Sequence, residues 1–194
     1  MTAQQTAPER MAEADVIELL QAQHGMIRNL FDEVEQSSAD RRAEAFTRLV
    51  RLLAVHETAE EEIVHPRARH AFEGGDGIVD DRLAEEREAK ELLQRMDQAG
   101  ADAPDFMKNL LMLRAAVEAH ARSEERYEFT KLYAHTTKAE RRVMAAGVKA
   151  AEAMAPTHPH PGVESATKNI LMGTPAAMMD RVRDVIRQAM GKNP

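Results

Sequence analysis

His56-Glu57-Thr58-Ala59-Glu60-Glu61-Glu62-Ile63-Val64-His65-Pro66 is the stretch on which the reading of this chain turns. His56 and Glu60 are four residues apart, so on a helix they stand one above the other. The face they share also carries Leu53 and Ile63, which marks it as inward. Further along, His120-Ala121-Arg122-Ser123-Glu124-Glu125 repeats the same His-x-x-x-Glu spacing beneath Val117. On an exposed helix such a pair is an ordinary side-chain contact. Two pairs on apolar faces are different, because burying several ionisable groups together is costly unless a cation compensates.

Working outward, helical periodicity accounts for most of the chain. Val16, Ile17, Leu20, Ile27, Phe31 and Val34 recur at three- and four-residue steps, predicting a helix over 13–36. A turn at Ser37-Ser38-Ala39-Asp40 leads to a second helix carrying Phe46, Leu49, Val50, Leu53 and Ile63, with Pro66 in its last turns. Glu73-Gly74-Gly75-Asp76-Gly77 is a break. A third helix over 78–99 presents Val79, Leu83, Leu93 and Met96 and stops at Gly100; Pro104 and Asp105 open a fourth with Phe106, Leu110, Leu113 and Val117. Short loops between four amphipathic helices predict an all-α, up-down-up-down antiparallel four-helix bundle. The expected layout is a flexible N-terminus at 1–12, the bundle at 13–136, and a helical C-terminal extension at 137–194. That extension holds helices at 137–154 and 175–190 around the His/Pro-rich strap Pro156-Thr157-His158-Pro159-His160-Pro161-Gly162.

Two more inward-facing polar residues join the pairs: His24, between Leu20 and Ile27, and Glu86, on the side of Val79, Leu83 and Leu93. Their depths agree. His24 lies about 13 residues before the first turn and His56 about 17 after it; Glu86 lies about 15 before the third turn and His120 about 17 after it. At about 1.5 Å per residue these mismatches amount to roughly one helical turn, so all four helices deliver polar groups to one level. Glu57 stands evenly between a further carboxylate ligand and a solvated neighbour. Tyr127, seven residues after His120, is expected on the ligand face one turn away, touching the metal ligands, bound to iron as a phenolate, or simply packed. His65 falls nearly opposite His56 and is expected to be exposed. His70 and His135 read as helix-end residues, and His158 and His160 as linker.

Composition narrows the chemistry. The 194 residues contain no Cys and no Trp, are 43% hydrophobic and 30% charged, and carry a formal charge of −7. Absence of Cys removes disulfides, thiolate metal sites and iron–sulfur clusters. The negative charge argues against nucleic acid and anionic membrane as partners. No stretch reads as a signal peptide or approaches the roughly 20 apolar residues of a membrane span, so the expectation is a cytoplasmic protein, monomer or homodimer. Imidazole and carboxylate without thiolate suit iron or manganese well and zinc acceptably. Six ligands exceed the four of an ordinary zinc site and fit two metal ions with carboxylates between them.

The isolated His24, the His56–Pro66 stretch and His120–Glu125 together resemble the hemerythrin-like family with HHE cation-binding domains, over about residues 13–133. The tail, with His-Pro-His-Pro and Asp180-Arg181, more faintly resembles extensions of actinobacterial members. The resemblance implies two non-haem irons, oxo- or hydroxo-bridged, held by His24, His56, Glu60, Glu86, His120 and Glu124, with zinc or manganese as substitutes. The family draws a His from the third helix, whereas this chain has none between His70 and His120. Alignment on Glu91-Leu92-Leu93 puts Glu86 in that place, with Glu85 as its rival. A carboxylate there favours ferric iron and argues against reversible oxygen carriage. The expected function is therefore binding of dioxygen, peroxide or nitric oxide at an open position facing a small apolar pocket, with peroxide or nitric oxide detoxification in stress response. The alternative is an oxygen, iron or redox sensor, or a metal-binding protein without turnover.

Overall fold

A computed structural model describes residues 15–154 and 175–189; the expected N-terminal arm at 1–12 and the His/Pro strap lie outside the described residues. Within them the chain is helical: α1 (Val16–Gln36), α2 (Ala39–Ala59), α3 (His65–Ala71), α4 (Gly75–Ala99), α5 (Phe106–Ser123), α6 (Phe129–His135), α7 (Lys138–Met154) and α8 (Pro175–Ala189). Asp15 caps α1, its carboxylate accepting from the Ile17 and Glu18 amides while Glu18 reaches back to the Asp15 amide. No described helix is long and apolar enough to cross a membrane.

Two joints matter most. α2 runs into α3, and α5 into α6, through single π-helical turns at Glu60–Val64 and Glu124–Glu128. In each, the amide that follows the turn donates five residues back, His65 to Glu60 and Phe129 to Glu124. Pro66 then falls in the first positions of α3, where its missing amide proton is tolerated. These rods, with α1 and α4, form the four-helix bundle.

The break before α4 is tighter than the glycine run suggests. Gly74 takes φ 79°, which favours glycine, and α4 starts directly after it, three residues before the expected helix start at 78. A Cβ on Gly75 would lie 2.4 Å from the Ala68 carbonyl oxygen, so α3 and α4 meet only because that position has no side chain.

The core is divided in two along the bundle. One apolar cluster holds Ile27, Phe31, Leu49, Leu53, Leu93, Met96, Leu110, Leu113 and Val117. The other holds Val16, Leu20, Val64, Ala68, Val79, Phe129 and Leu132, together with Met144 and Val148 of α7 and Val182 and Ile186 of α8. On each of the four rods, the residues between these clusters are buried polar ones: His24, then His56, Glu57 and Glu60, then Arg82 and Glu86, then His120 and Glu124. The hydrophobic effect fills both ends and leaves a polar layer between them.

Candidate metal centre

Among the described residues, four imidazoles and five carboxylates are buried in this layer: His24, His56, His65 and His120, with Glu57, Glu60, Glu86, Glu124 and Glu128. Their ligand atoms fall into three sets, each within 4.8 Å: His24, His56, Glu60 and Glu124; Glu57, Glu86 and His120; and His65, Glu124 and Glu128. All six residues expected as ligands from the sequence are thus brought to the layer, and Glu57 with them.

Three of the imidazoles are wired alike. Nδ1 of His24 donates to Glu125 Oε1 at 2.7 Å, that of His56 to Gln23 Oε1 at 2.7 Å, and that of His120 to Glu85 Oε2 at 3.0 Å. Each outer partner fixes the ring and turns Nε2 inward, the arrangement that readies a histidine to bind metal. Inside, among the described residues, Nε2 of His24 and of His120 makes no hydrogen bond, approaching Glu124 only to 3.3 and 3.4 Å, and neither oxygen of Glu60 and Glu124 makes one, nor does Oε2 of Glu57. Buried polar atoms are almost always satisfied, so this concentration of orphans at one point fits a cation and little else. Glu86 differs: Oε1 accepts from His65 Nε2 at 2.7 Å and Oε2 from Lys90 Nζ at 2.8 Å. A carboxylate has about four lone-pair sites, so Glu86 can keep both partners and still meet a metal beside Glu57 and His120.

Without metal the layer has to be neutralised by protons. Burial, with His24 beside it, pushes His56 down to about 3, keeping it neutral. Burial and Glu86 push Glu57 up to about 8, and burial and Glu124 push Glu60 well above the carboxylate range. For His120, burial opposes the charge, but Glu124 and Glu85 outweigh it and carry the ring up to about 11. Burial would likewise raise Glu124, yet His120 holds it well below its ordinary value. Metal binding here would displace protons from Glu57, Glu60 and His120.

Three expectations need correction. His65 is not exposed: only 2% of it meets solvent, and it lies between Glu86 and Glu128, with Nδ1 donating to Glu128 at 2.8 Å. At about 100° per residue, nine steps place His65 opposite His56, but the π turn absorbs one residue, and about eight effective steps bring it inward. The second π turn does the reverse to Tyr127, which is 47% exposed with Arg126 over its ring, and brings in Glu128, which the sequence reading missed. Glu85 does not enter the layer; it is partly exposed and serves as the outer partner of His120, anchored by Arg82 at 2.7 Å. A His or Glu within a few residues after each His-x-x-x-Glu was the available signal, but no periodic pattern announces the extra residue.

Facing the imidazoles is a small cavity of about 10 Å³, lined by His24, His56, Glu57, His120, Ile27 and Val117 among others. That is room for about one water-sized species.

A helical bundle with a buried His/Glu layer of this kind is a cation-binding protein. The chain belongs to the hemerythrin HHE cation-binding domain family, whose model matches residues 15–132. It is also similar to a protein described as a DNA nickase from Nostoc sp., 30% identical over 112 residues that cover 57% of this chain and 31% of that protein. The chain thus matches about a third of that relative's length. No solved structure matches.

Proposed function

We propose that the protein holds two irons and consumes peroxide or nitric oxide at them. One ion would be bound by His24, His56 and Glu60 and the other by Glu57, Glu86 and His120, with Glu124 between them. The observation that carries this reading is the set of inward, unpartnered Nε2 and carboxylate atoms around a cavity that admits only a water-sized guest. Bound iron would supply the redox chemistry. The protein's share is to hold neutral imidazoles in one tautomer through Gln23, Glu85 and Glu125, to keep water scarce with Ile27 and Val117, and to hold Glu86 in place through Lys90. The carboxylate-rich ligand set favours ferric over ferrous iron, which supports turnover rather than reversible oxygen carriage. The nicking activity in the relative's name is not carried over, because the net charge of −7 opposes DNA. The test is consumption of peroxide and of nitric oxide by the iron-loaded protein. His56→Ala and His120→Ala should abolish it, and turnover no greater than that of free iron in the parent would overturn the reading.

One observation favours a sensor as the second reading. Lys90, which touches Glu86 and Glu57, also pairs with Glu61. Glu61 and Glu62 in turn pair with Arg183 of α8, and Glu62 with Arg187. Metal taking up Glu57 would weaken its hold on Lys90 and alter what holds α8. Hydrogen exchange across 175–189 that changes on metal loading supports a sensor, and unchanged exchange removes it.

A further inference from the structure

We infer that His65, Glu128 and Glu124 form a third cation site beside the pair, fit for a divalent transition metal. Their ligand atoms lie within 4.8 Å of one another, and the first two are not among the ligands proposed for the two-ion centre. Glu128 and Glu124 are both fully buried; Oε2 of Glu128 makes no hydrogen bond, and neither oxygen of Glu124 does, His24 and His120 standing off at 3.3 and 3.4 Å. Buried polar atoms are almost always satisfied, so orphaned oxygens this close together mark a place for a cation. His65 alone is a poor answer, since it is shared with Glu86 and leaves three oxygens orphaned.

The wiring of His65 points the same way. Each of the other three buried imidazoles has an acceptor on one nitrogen and the carboxylate layer on the other. His65 repeats the plan with its nitrogens exchanged: Nε2 faces its acceptor Glu86, itself fastened by Lys90, and Nδ1 faces Glu128 and the orphaned oxygens. An ion entering here gains His65 Nδ1, Glu128 and one oxygen of Glu124, whose other oxygen remains with the pair. Imidazole with carboxylates selects iron, manganese or zinc over calcium or magnesium. The site rests on the two-ion reading only through Glu124.

The test loads full-length protein with Mn(II), counts metal by elemental analysis, and locates it by anomalous scattering in crystals of the loaded protein. The parent should bind three ions, with a peak at bonding distance from His65 Nδ1 and Glu128. His65→Gln and Glu128→Gln should each bind two and lose that peak alone, and His56→Ala should keep it. A parent with two ions and no such peak overturns the third site while leaving the pair intact. A parent with two ions that falls to one in His65→Gln makes His65 a ligand of the pair and also overturns it. A peak at His65 with none at His56 sustains the third site and sinks the pair instead.

Discussion

The two rods that carry the metal motif can be laid residue on residue, His56 to His65 against His120 to Phe129. Both read His-x-x-x-Glu, both pass into a π turn at that Glu, and both resume an α-helix one residue after the turn. They differ at four places that matter. Glu57 is matched by Ala121, which leaves the second rod without a carboxylate directly after its histidine. Val64, fully buried in an apolar cluster, is matched by Glu128, fully buried among carboxylates. His65 is matched by Phe129, which stacks on His24 with centroids 5.9 Å apart and planes 7° off parallel. Ile63, 4% exposed, is matched by Tyr127, 47% exposed. The backbone device is thus one thing and its cargo another: the same turn delivers an imidazole on one rod and an aromatic wall on the other.

The turns themselves offer the largest effect. If each is an α-helix that has absorbed one residue, removing one should restore the α ladder and leave the residues beyond in place. Adding a second should throw them out of register. Deleting the exposed Arg126 should therefore cost far less than inserting an Ala after it, which would pull Phe129 and Leu132 from the core at about 1.5–3 kcal/mol each. Chemical denaturation of the two variants measures this, and equal losses would mean that the turn is not an absorbed insertion.

This is also where the sequence stopped being legible. The bundle and the polar layer could be read because His24, His56, Glu60, Glu86, His120 and Glu124 all lie on regular α-helix up to the start of a π turn, where steps of three and four hold. Three of the four misread residues lie within or beyond a π turn: His65 and Tyr127 on the wrong side, Glu128 unseen. A slip of one residue in the hydrogen-bond ladder has no composition of its own, since Glu-Glu-Glu-Ile-Val and Glu-Glu-Arg-Tyr-Glu are ordinary helix formers. Glu85 was misread for another reason. It is adjacent to Glu86, and only the contact with His120 distinguishes an outer partner from a ligand.

Next in size is the response to metal. An ion that binds only the folded bundle stabilises it by about 3–4 kcal/mol at 100- to 1,000-fold excess over its dissociation constant. His56→Ala and His120→Ala, equivalent positions on the two rods, should each forfeit most of that gain, whereas His70→Ala, exposed on α3, should keep it. Thermal melts with and without metal decide the matter. A loss confined to His56 would mean that the rods are not equivalent at the metal.

The outer partners should matter less and should separate the rods. Glu85→Gln exchanges a charged acceptor for a neutral one on His120, the pattern His56 already has with Gln23. Loss of such a partner typically costs about 10–100-fold in metal affinity. Gln23→Ala, which removes the acceptor of His56 altogether, should fall in the same range. Competition titrations against a chelator would measure both, and an unchanged affinity in either variant would reduce that contact to packing.

The smallest effect is expected at Tyr127, and its smallness is informative. On an unbroken α-helix, seven steps after His120 would return this residue to the ligand face, and its phenol would be within reach of iron. The π turn makes it about six effective steps, which points it outward. Ile63 occupies the equivalent position on the first rod and yet is buried. The reason is that α7 and α8 cover that side of the bundle, where Ile63 shares a cluster with Met144, Val182 and Ile186. Nothing comparable covers Tyr127 among the described residues, so the difference comes from the C-terminal helices and not from the turn. Tyr127→Phe should then change stability by no more than about 0.5 kcal/mol, as surface substitutions do, and leave metal content and the visible spectrum of the iron-loaded protein unchanged. Ile63→Ala should cost about 2–5 kcal/mol through the cavity it leaves. Bleaching of a visible absorption band in Tyr127→Phe would place the phenol on the metal and restore the unbroken-helix register for the second rod.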